Sequence, residues 1–278
     1  MIRVGCTFRA GLIPHLWAHP DLVDVFEYTL DSFVAAGDDG RRAAATCAGS
    51  GPLRLHSIDL SLGSPAARAR PRHLEEIREI MRITCVDEIS DHLAYSRVGD
   101  RRLHDFAPLW RVEEQVDLLA ENVEWVQERI GGRLVLENVA SLYDPGGELT
   151  GAEVANEVVR RTGCGLLLDI SNVLINEING FCDANVELAT LDLGAVVEVH
   201  LAGGELVDGL MWDAHSSPVP RSDIEWLAAL LPSMPACQAV IVERDERLQN
   251  GAELIDDLRA VRAVVDDVNA ARTVGALA

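Results

Sequence analysis

Short apolar runs recur along the chain, near positions 2–7, 23–28, 53–58, 85–90, 133–138, 165–170, 195–201 and 238–243. Several are almost uninterrupted, as in LVLEN, GLLLDI and AVIVE. This is the pattern of strands buried on both faces of a parallel sheet. Between the runs the apolar spacing changes to a helical period. Leu109, Val112, Val116, Leu119, Val123, Val126 and Ile130 share one face, and Gly131 and Gly132 stop the pattern. Thr150-Gly-Ala-Glu153 reads as a capping box that opens a helix ending near Gly163. Ser222-Asp-Ile-Glu225 reads as a second box, opening a helix through Leu231. A last helix is predicted over about 252–266, with Leu254, Ile255, Leu258, Val261 and Val265 on one side. The tail from about 267 is expected to fray.

Strands alternating with helices predict an α/β fold with a parallel sheet. Eight of them predict closure into a (β/α)8 TIM barrel, and 278 residues suit a fold that needs about 250. The rival is a doubly wound open sheet, which places a Gly-rich phosphate turn after its first strand. Here that strand runs into CTFRAGLIPHL, with no GxGxxG, and Leu60-Ser-Leu-Gly-Ser64 lacks the Lys of a P-loop. With no repeat, low-complexity stretch or linker, residues 1–278 are read as a single domain.

The polar residues that end the apolar runs carry the chemistry. LRLHS brings His56, VDEISDH Asp91 and His92, LVLEN Glu137 and Asn138, and LLLDISN Asp169 and Asn172. VVEVHLAG brings Glu198 and His200, WDAHS Asp213 and His215, and VIVERD Glu243 and Asp245. Barrel enzymes build their sites at the C-terminal ends of the strands. Carboxylates and imidazoles gathered there are costly to bury unless paired or bound to a cation, which also relieves their repulsion. Imidazole mixed with carboxylate, without thiolate, suits iron, manganese or zinc. His56, His92, His200, His215, Glu137, Asp169, Asp213 and Glu243 exceed the three or four ligands of one zinc. They suffice for two metals, with Glu137 free to bridge and Asn172 able to add a neutral oxygen.

Each residue also has a plainer reading. A strand-end Asp can cap the next helix, and Asp91 can orient His92 or hold a turn. Glu198 shares a strand face with His200 and can be a ligand or its supporting partner. His15, His19, His73 and His104 fall in helix or loop contexts and are expected at the surface. Nucleophilic catalysis has little support, since there is no GxSxG elbow and no cysteine in an activated setting. A glycosidase using Glu137 and Glu243 would leave the histidines unexplained.

Composition narrows the class further. The formal net charge of −21 disfavours non-specific nucleic-acid binding and anionic membrane surfaces. Apolar content of 48% allows a full core, and no apolar stretch is long enough to span a bilayer. MIRVGCTFRAG lacks a basic region followed by a long apolar segment, so a cytoplasmic location is expected. The six cysteines form no CxxC pair and no disulfide framework; Cys182, beside a ligand run, is the one whose setting stands apart.

The ordered motifs resemble one family, the multinuclear non-haem iron-dependent oxidative enzymes of the methanobactin-oxidase type, which modify ribosomally made peptides. The matching text is LHSIDLSLGS with His56, SDHLAYS with His92, LENVASLY with Glu137 and LLDISNVLINEINGF with Asp169 and Asn172. It continues in EVHLAGG with His200, DAHSSPV with Asp213 and His215, and VERD with Glu243. The resemblance implies a TIM barrel holding two or three irons, with a mixed-valent pair and molecular oxygen as co-substrate. It implies oxidation of a peptide residue, cysteine first, with the precursor peptide presented by a small leader-binding partner protein. Asp213 and His215 take the catalytic positions, and Tyr95 and Trp212 are candidates to line the peptide channel. Two departures bear on the metal count. Ser171 stands where the family carries the first of two Asn residues, and Asn179 runs directly into Gly180 without the loop His that helps hold a third metal. The rival is a manganese or zinc barrel of the sugar isomerase or apurinic endonuclease type, acting without oxygen. A non-catalytic peptide-binding barrel is the third reading.

Overall fold

The computed structural model describes residues 1–99 and 101–275. Its strands are β1 (Arg3–Thr7), β2 (Val25–Thr29), β3 (Leu53–His56), β4 (Glu88–His92), β5 (Ala94–Val98) and β6 (Arg101–Pro108). They continue with β7 (Arg133–Glu137), β8 (Gly165–Asp169), β9 (Val196–Leu201), β10 (Gly203–Val207), β11 (Leu210–Ser217) and β12 (Ala239–Val242). Strands β1, β2, β3, β4, β7, β8, β9 and β12 close a barrel in chain order. Every neighbouring pair within it is parallel. The expected TIM barrel is what the chain forms.

The near-continuous apolar strands are explained by two cores. Outward residues such as Leu134, Leu136, Leu166, Leu168 and Val199 pack under the helices. Inward residues form small clusters, Val25 with Ala239 and Ile241, and Val135 with Leu167 and Val197. Side chains alternate along a strand, so an inward apolar residue is followed two positions later by an inward polar one at the strand end. Val135 leads to Glu137, Leu167 to Asp169 and Ile241 to Glu243, while in β4 the polar Ser90 leads to His92. In β9 a register shift opposite Leu166 and Leu167 leaves Val197 as an extra residue. This bulge places His200 directly across from Asp169.

The narrow interior explains one glycine. A Cβ on Gly5 of β1 would lie 2.3 Å from the Val25 carbonyl oxygen and 2.7 Å from Ile241 Cδ1. Gly5→Ala is therefore expected to lower stability by about 1–3 kcal/mol. Urea unfolding checks it, and a wild-type midpoint would show that the barrel wall yields freely.

Several predicted boundaries are corrected. The run at 85–90 becomes a strand only from Glu88, because Cys85 closes the preceding helix Pro71–Thr84 with φ 55°. The helix predicted from Leu109 begins at Glu113. Thr150 caps Gly151–Thr162 through both bonds of a capping box, but Ser222 caps nothing. The helix Arg221–Leu230 starts after Pro220, and the Ser222 hydroxyl donates to Asp223 Oδ1 at 2.9 Å. The last helix continues to Gly275, past the predicted 266, and residues 276–278 of the expected tail lie outside the described ones. Two antiparallel hairpins, β5–β6 and β10–β11, were not predicted. Among the described residues no helix is long and apolar enough to cross a membrane.

Candidate metal centre

The polar strand ends converge at the C-terminal mouth of the barrel, where His56, His92, Glu137, Asp213, His215 and Glu243 line a cavity of about 230 Å³ and Asp169 and His200 lie fully buried beside them. Beside a group formed by Glu27, Glu198 and His200, two further groups of possible ligand atoms lie there, the atoms of each within 4.8 Å of one another. One is His56, His92 and Glu137; the other is Glu137, Asp169, His200 and Glu243. Glu137 belongs to both. Its Oε2 faces His56 Nε2 at 3.7 Å and His92 Nε2 at 3.4 Å, and its Oε1 faces His200 Nδ1 at 3.5 Å.

Neighbours fix these orientations. His56 Nδ1 meets the Ser90 hydroxyl at 2.8 Å, which turns Nε2 inward. The His92 ring stacks on Phe106 with centroids 3.8 Å apart. Asp169 Oδ1 accepts from the Asn172 backbone N–H at 2.7 Å and so caps the helix Ile170–Ile178. Its Oδ2 is left without a partner. Asn172 Nδ2 donates to the Asn138 carbonyl at 3.1 Å, leaving Oδ1 without a partner too. Glu137 Oε2 and His200 Nδ1 are likewise buried and unpartnered. Orphaned polar atoms are rare in native interiors. Acceptors left open together, next to inward imidazole nitrogens, match what a cation would satisfy.

The electrostatics fit the same picture. Burial, then repulsion from Asp213, Glu137 and Glu243, pushes the Asp169 carboxyl well above its ordinary range. Burial would lower His200, but Glu27, Glu243 and Glu137 override it and hold the ring protonated well above the usual pH. Burial, reinforced by His56, drives His92 the other way, well below. Without a metal, protons must serve as the counter-charges here.

Asp213 and His215 approach from β11 at the open side. His215 Nε2 lies 2.8 Å from Asp213 Oδ1 and 3.6 Å from Glu243 Oε2, while Nδ1 faces Asp245 at 3.3 Å. His215 adopts φ 47°, a strained value for a side-chain-bearing residue. Its carbonyl accepts from the Asp245 N–H at 3.0 Å, which ties the hairpin to the end of β12.

Other residues fall elsewhere. Asp91 points to the opposite strand face, where it accepts from the His92 and Leu60 backbone N–H groups. Glu198 shares the face of His200 but lies lower and accepts from Arg54 Nε at 2.7 Å. The Tyr95 hydroxyl donates to Gln115 at 2.5 Å and Trp212 is 38% exposed; neither lines this cavity. Of the histidines expected at the surface, His73 is half-buried 3.5 Å from Asp31, and His104 stands at the cavity rim. The Cys182 thiol is pushed up to about 12 by burial, with Glu187 adding to it. Asn179, where the chain lacks the loop His, instead bonds both ways with the Met211 backbone. The sequence reading missed Phe106 and Glu27. Glu27 is a carboxylate in the middle of the apolar strand VFEYT, and its parity with Val25 was the available signal.

A sequence profile described as RiPP precursor modification enzyme MbnB/TglH/ChrH matches residues 3–266. The chain belongs to this family. Within it, a UPF0276 protein of Chromobacterium violaceum is 34% identical over 220 residues, 70% of this chain and 79% of the relative. A UPF0276 protein of Rhizorhabdus wittichii is 30% identical over 243 residues, 87% of each chain. Solved structures share the barrel. D-psicose 3-epimerase of Clostridium cellulolyticum superposes with a TM-score of 0.59 at 13% identity, covering 96% of this chain and 98% of that one. Endonuclease IV of Thermus thermophilus gives 0.58 at 18% identity, covering 95% and 99%. At these identities the likeness is one of fold. The family resemblance in the motifs is thus borne out, and membership implies an enzyme that modifies a ribosomal precursor peptide.

Proposed function

We propose that the chain is a multinuclear non-haem iron enzyme that uses molecular oxygen to oxidise a residue, cysteine first, of a ribosomally made precursor peptide. The observation that carries this reading is Glu137, which offers one oxygen to each of two imidazole-bearing ligand groups. His56, His92 and Glu137 would hold one iron. Glu137, Asp169, Asn172, His200 and Glu243 would hold the other. Two resident ions suit a chain in which Asn179 is committed to Met211 and no loop His stands beside it.

Iron, when bound, supplies one-electron and oxygen chemistry that side chains lack. The rest falls to the chain. Phe106 covers His92 and limits water on that side. Asp213 and His215 border the open side, where the substrate would enter, and Asp213 Oδ1, 2.8 Å from His215 Nε2, sets the orientation of that ring. A substrate cysteine would bring the thiolate that the described ligand set lacks. The precursor would come with a small leader-binding partner, in the cytoplasm, to a barrel that folds as one domain.

The test is anaerobic purification with iron loading, metal analysis and iron spectroscopy, followed by oxygen and a candidate precursor peptide. Oxygen-dependent mass change of the peptide is expected. Fewer than about one iron per chain, with full activity on manganese and no oxygen, would instead fit a divalent-metal isomerase or hydrolase.

A further inference from the structure

His200 has two nitrogens and two kinds of neighbour. Nδ1 lies 3.2 Å from Glu243 Oε2 and 3.5 Å from Glu137 Oε1, inside the second ligand group. Nε2 points away from that group, to Glu27 Oε2 at 3.3 Å. Glu27 comes from β2, which β1 and β12 separate from β9 around the barrel wall. Only 2% of it is exposed, and neither of its oxygens has a hydrogen-bond partner. Below it, the charges are already matched. Arg54 donates to Glu198 at 2.7 Å and to Glu88 at 3.0 Å, and Arg133 donates to Glu88 at 2.7 Å. Glu198, the other carboxylate near His200, is therefore committed to Arg54. A buried carboxylate facing only an imidazole is costly unless it has a task there.

We propose that Glu27 is the positioning residue of the second metal site: it accepts the Nε2–H of His200 and thereby makes Nδ1 the ligating atom. A carboxylate behind a ligating histidine fixes its tautomer and ring orientation and raises its basicity. The side from which Glu27 reaches His200 dictates which nitrogen is left for the ion. The first ligand group has a different device, the Ser90 hydroxyl behind His56. The two sites thus differ in the charge behind their histidines, and the second has the more strongly donating imidazole. This inference rests on the metal centre proposed above.

The experiment uses the whole chain loaded with zinc, a diamagnetic stand-in, and measures stepwise metal affinity together with ¹⁵N–¹H NMR of the histidine rings. In the wild type, His200 is expected to carry its proton on Nε2 and the metal on Nδ1. Glu27→Leu should weaken the second ion by about 10–100-fold and leave the first unchanged. Glu27→Gln, which keeps an acceptor oxygen, should retain the tautomer and recover most of the affinity. A wild-type His200 bound through Nε2 overturns the proposal, as does a folded Glu27→Leu protein that takes both ions normally. A wild type that takes up neither zinc nor iron overturns the metal centre itself.

Discussion

Glu137→Ala is expected to release the ions of both ligand groups at once and to abolish activity, while the barrel remains folded. The reason is the division of its oxygens, Oε2 toward His56 and His92 and Oε1 toward His200. Among the described residues, no other belongs to both of these groups. The loss of affinity should exceed the roughly 100-fold that removal of an outer partner costs. His92→Ala should be milder and remove the first ion alone. Metal content after anaerobic loading and desalting checks both. Wild-type iron in Glu137→Ala would refute the bridging assignment. Stability supplies a second reading. Glu137 is buried among Asp169 and Glu243, and its Oε2 has no hydrogen-bond partner. In the metal-free state the alanine variant should be at least as stable as the wild type, since one of several crowded carboxylates is gone.

Arg244→Ala is the largest structural loss expected away from the cavity, about 3–5 kcal/mol. Arg244 follows Glu243 and is almost fully buried, with Nη2 donating to Asp257 at 2.9 Å and Nη1 to Glu253 at 3.2 Å. It fastens the end of β12 to the helix Gly251–Gly275. Without it, Asp257 stays buried with no cation. Burial already raises this carboxyl to about 6, against the pull of Arg244, and the variant should raise it further. A raised folded pKa favours the protonated acid, so the cost is small below about pH 4, where Asp257 is protonated in both states. The cost then grows as pH rises through 6. Denaturation at pH 4 and pH 7 should therefore show a wider gap between variant and wild type at pH 7. An equal gap at both would mean that packing, not charge, dominates.

Much of this was legible in the sequence because a closed parallel barrel leaves a clear trace. Apolar runs with polar ends require two buried faces and one functional rim, and β7 and β8 follow that rule closely. Elsewhere local signals compete. Ser222 has the spacing of a capping box, yet Pro220 fixes the start of that helix two residues earlier than the box would. The hairpins escape that rule because β6 and β11, though eight residues long, are mostly exposed or half-buried and carry no long apolar run. Glu27 was missed because it sits inside its strand and not at the end. Its significance appears only once the barrel closes and brings Glu27 of β2 within 3.3 Å of His200 of β9.

Barrel closure also limits how an extended chain can meet this protein. Each barrel strand is flanked on both sides, so none offers a free edge to a further strand. Among the described strands, free edges remain only on the two hairpins, β5–β6 and β10–β11. Both flank the mouth, and they carry Phe106, Asp213 and His215. An incoming peptide that pairs by strand addition can therefore do so only beside the cavity, where its side chains alternate toward and away from the opening.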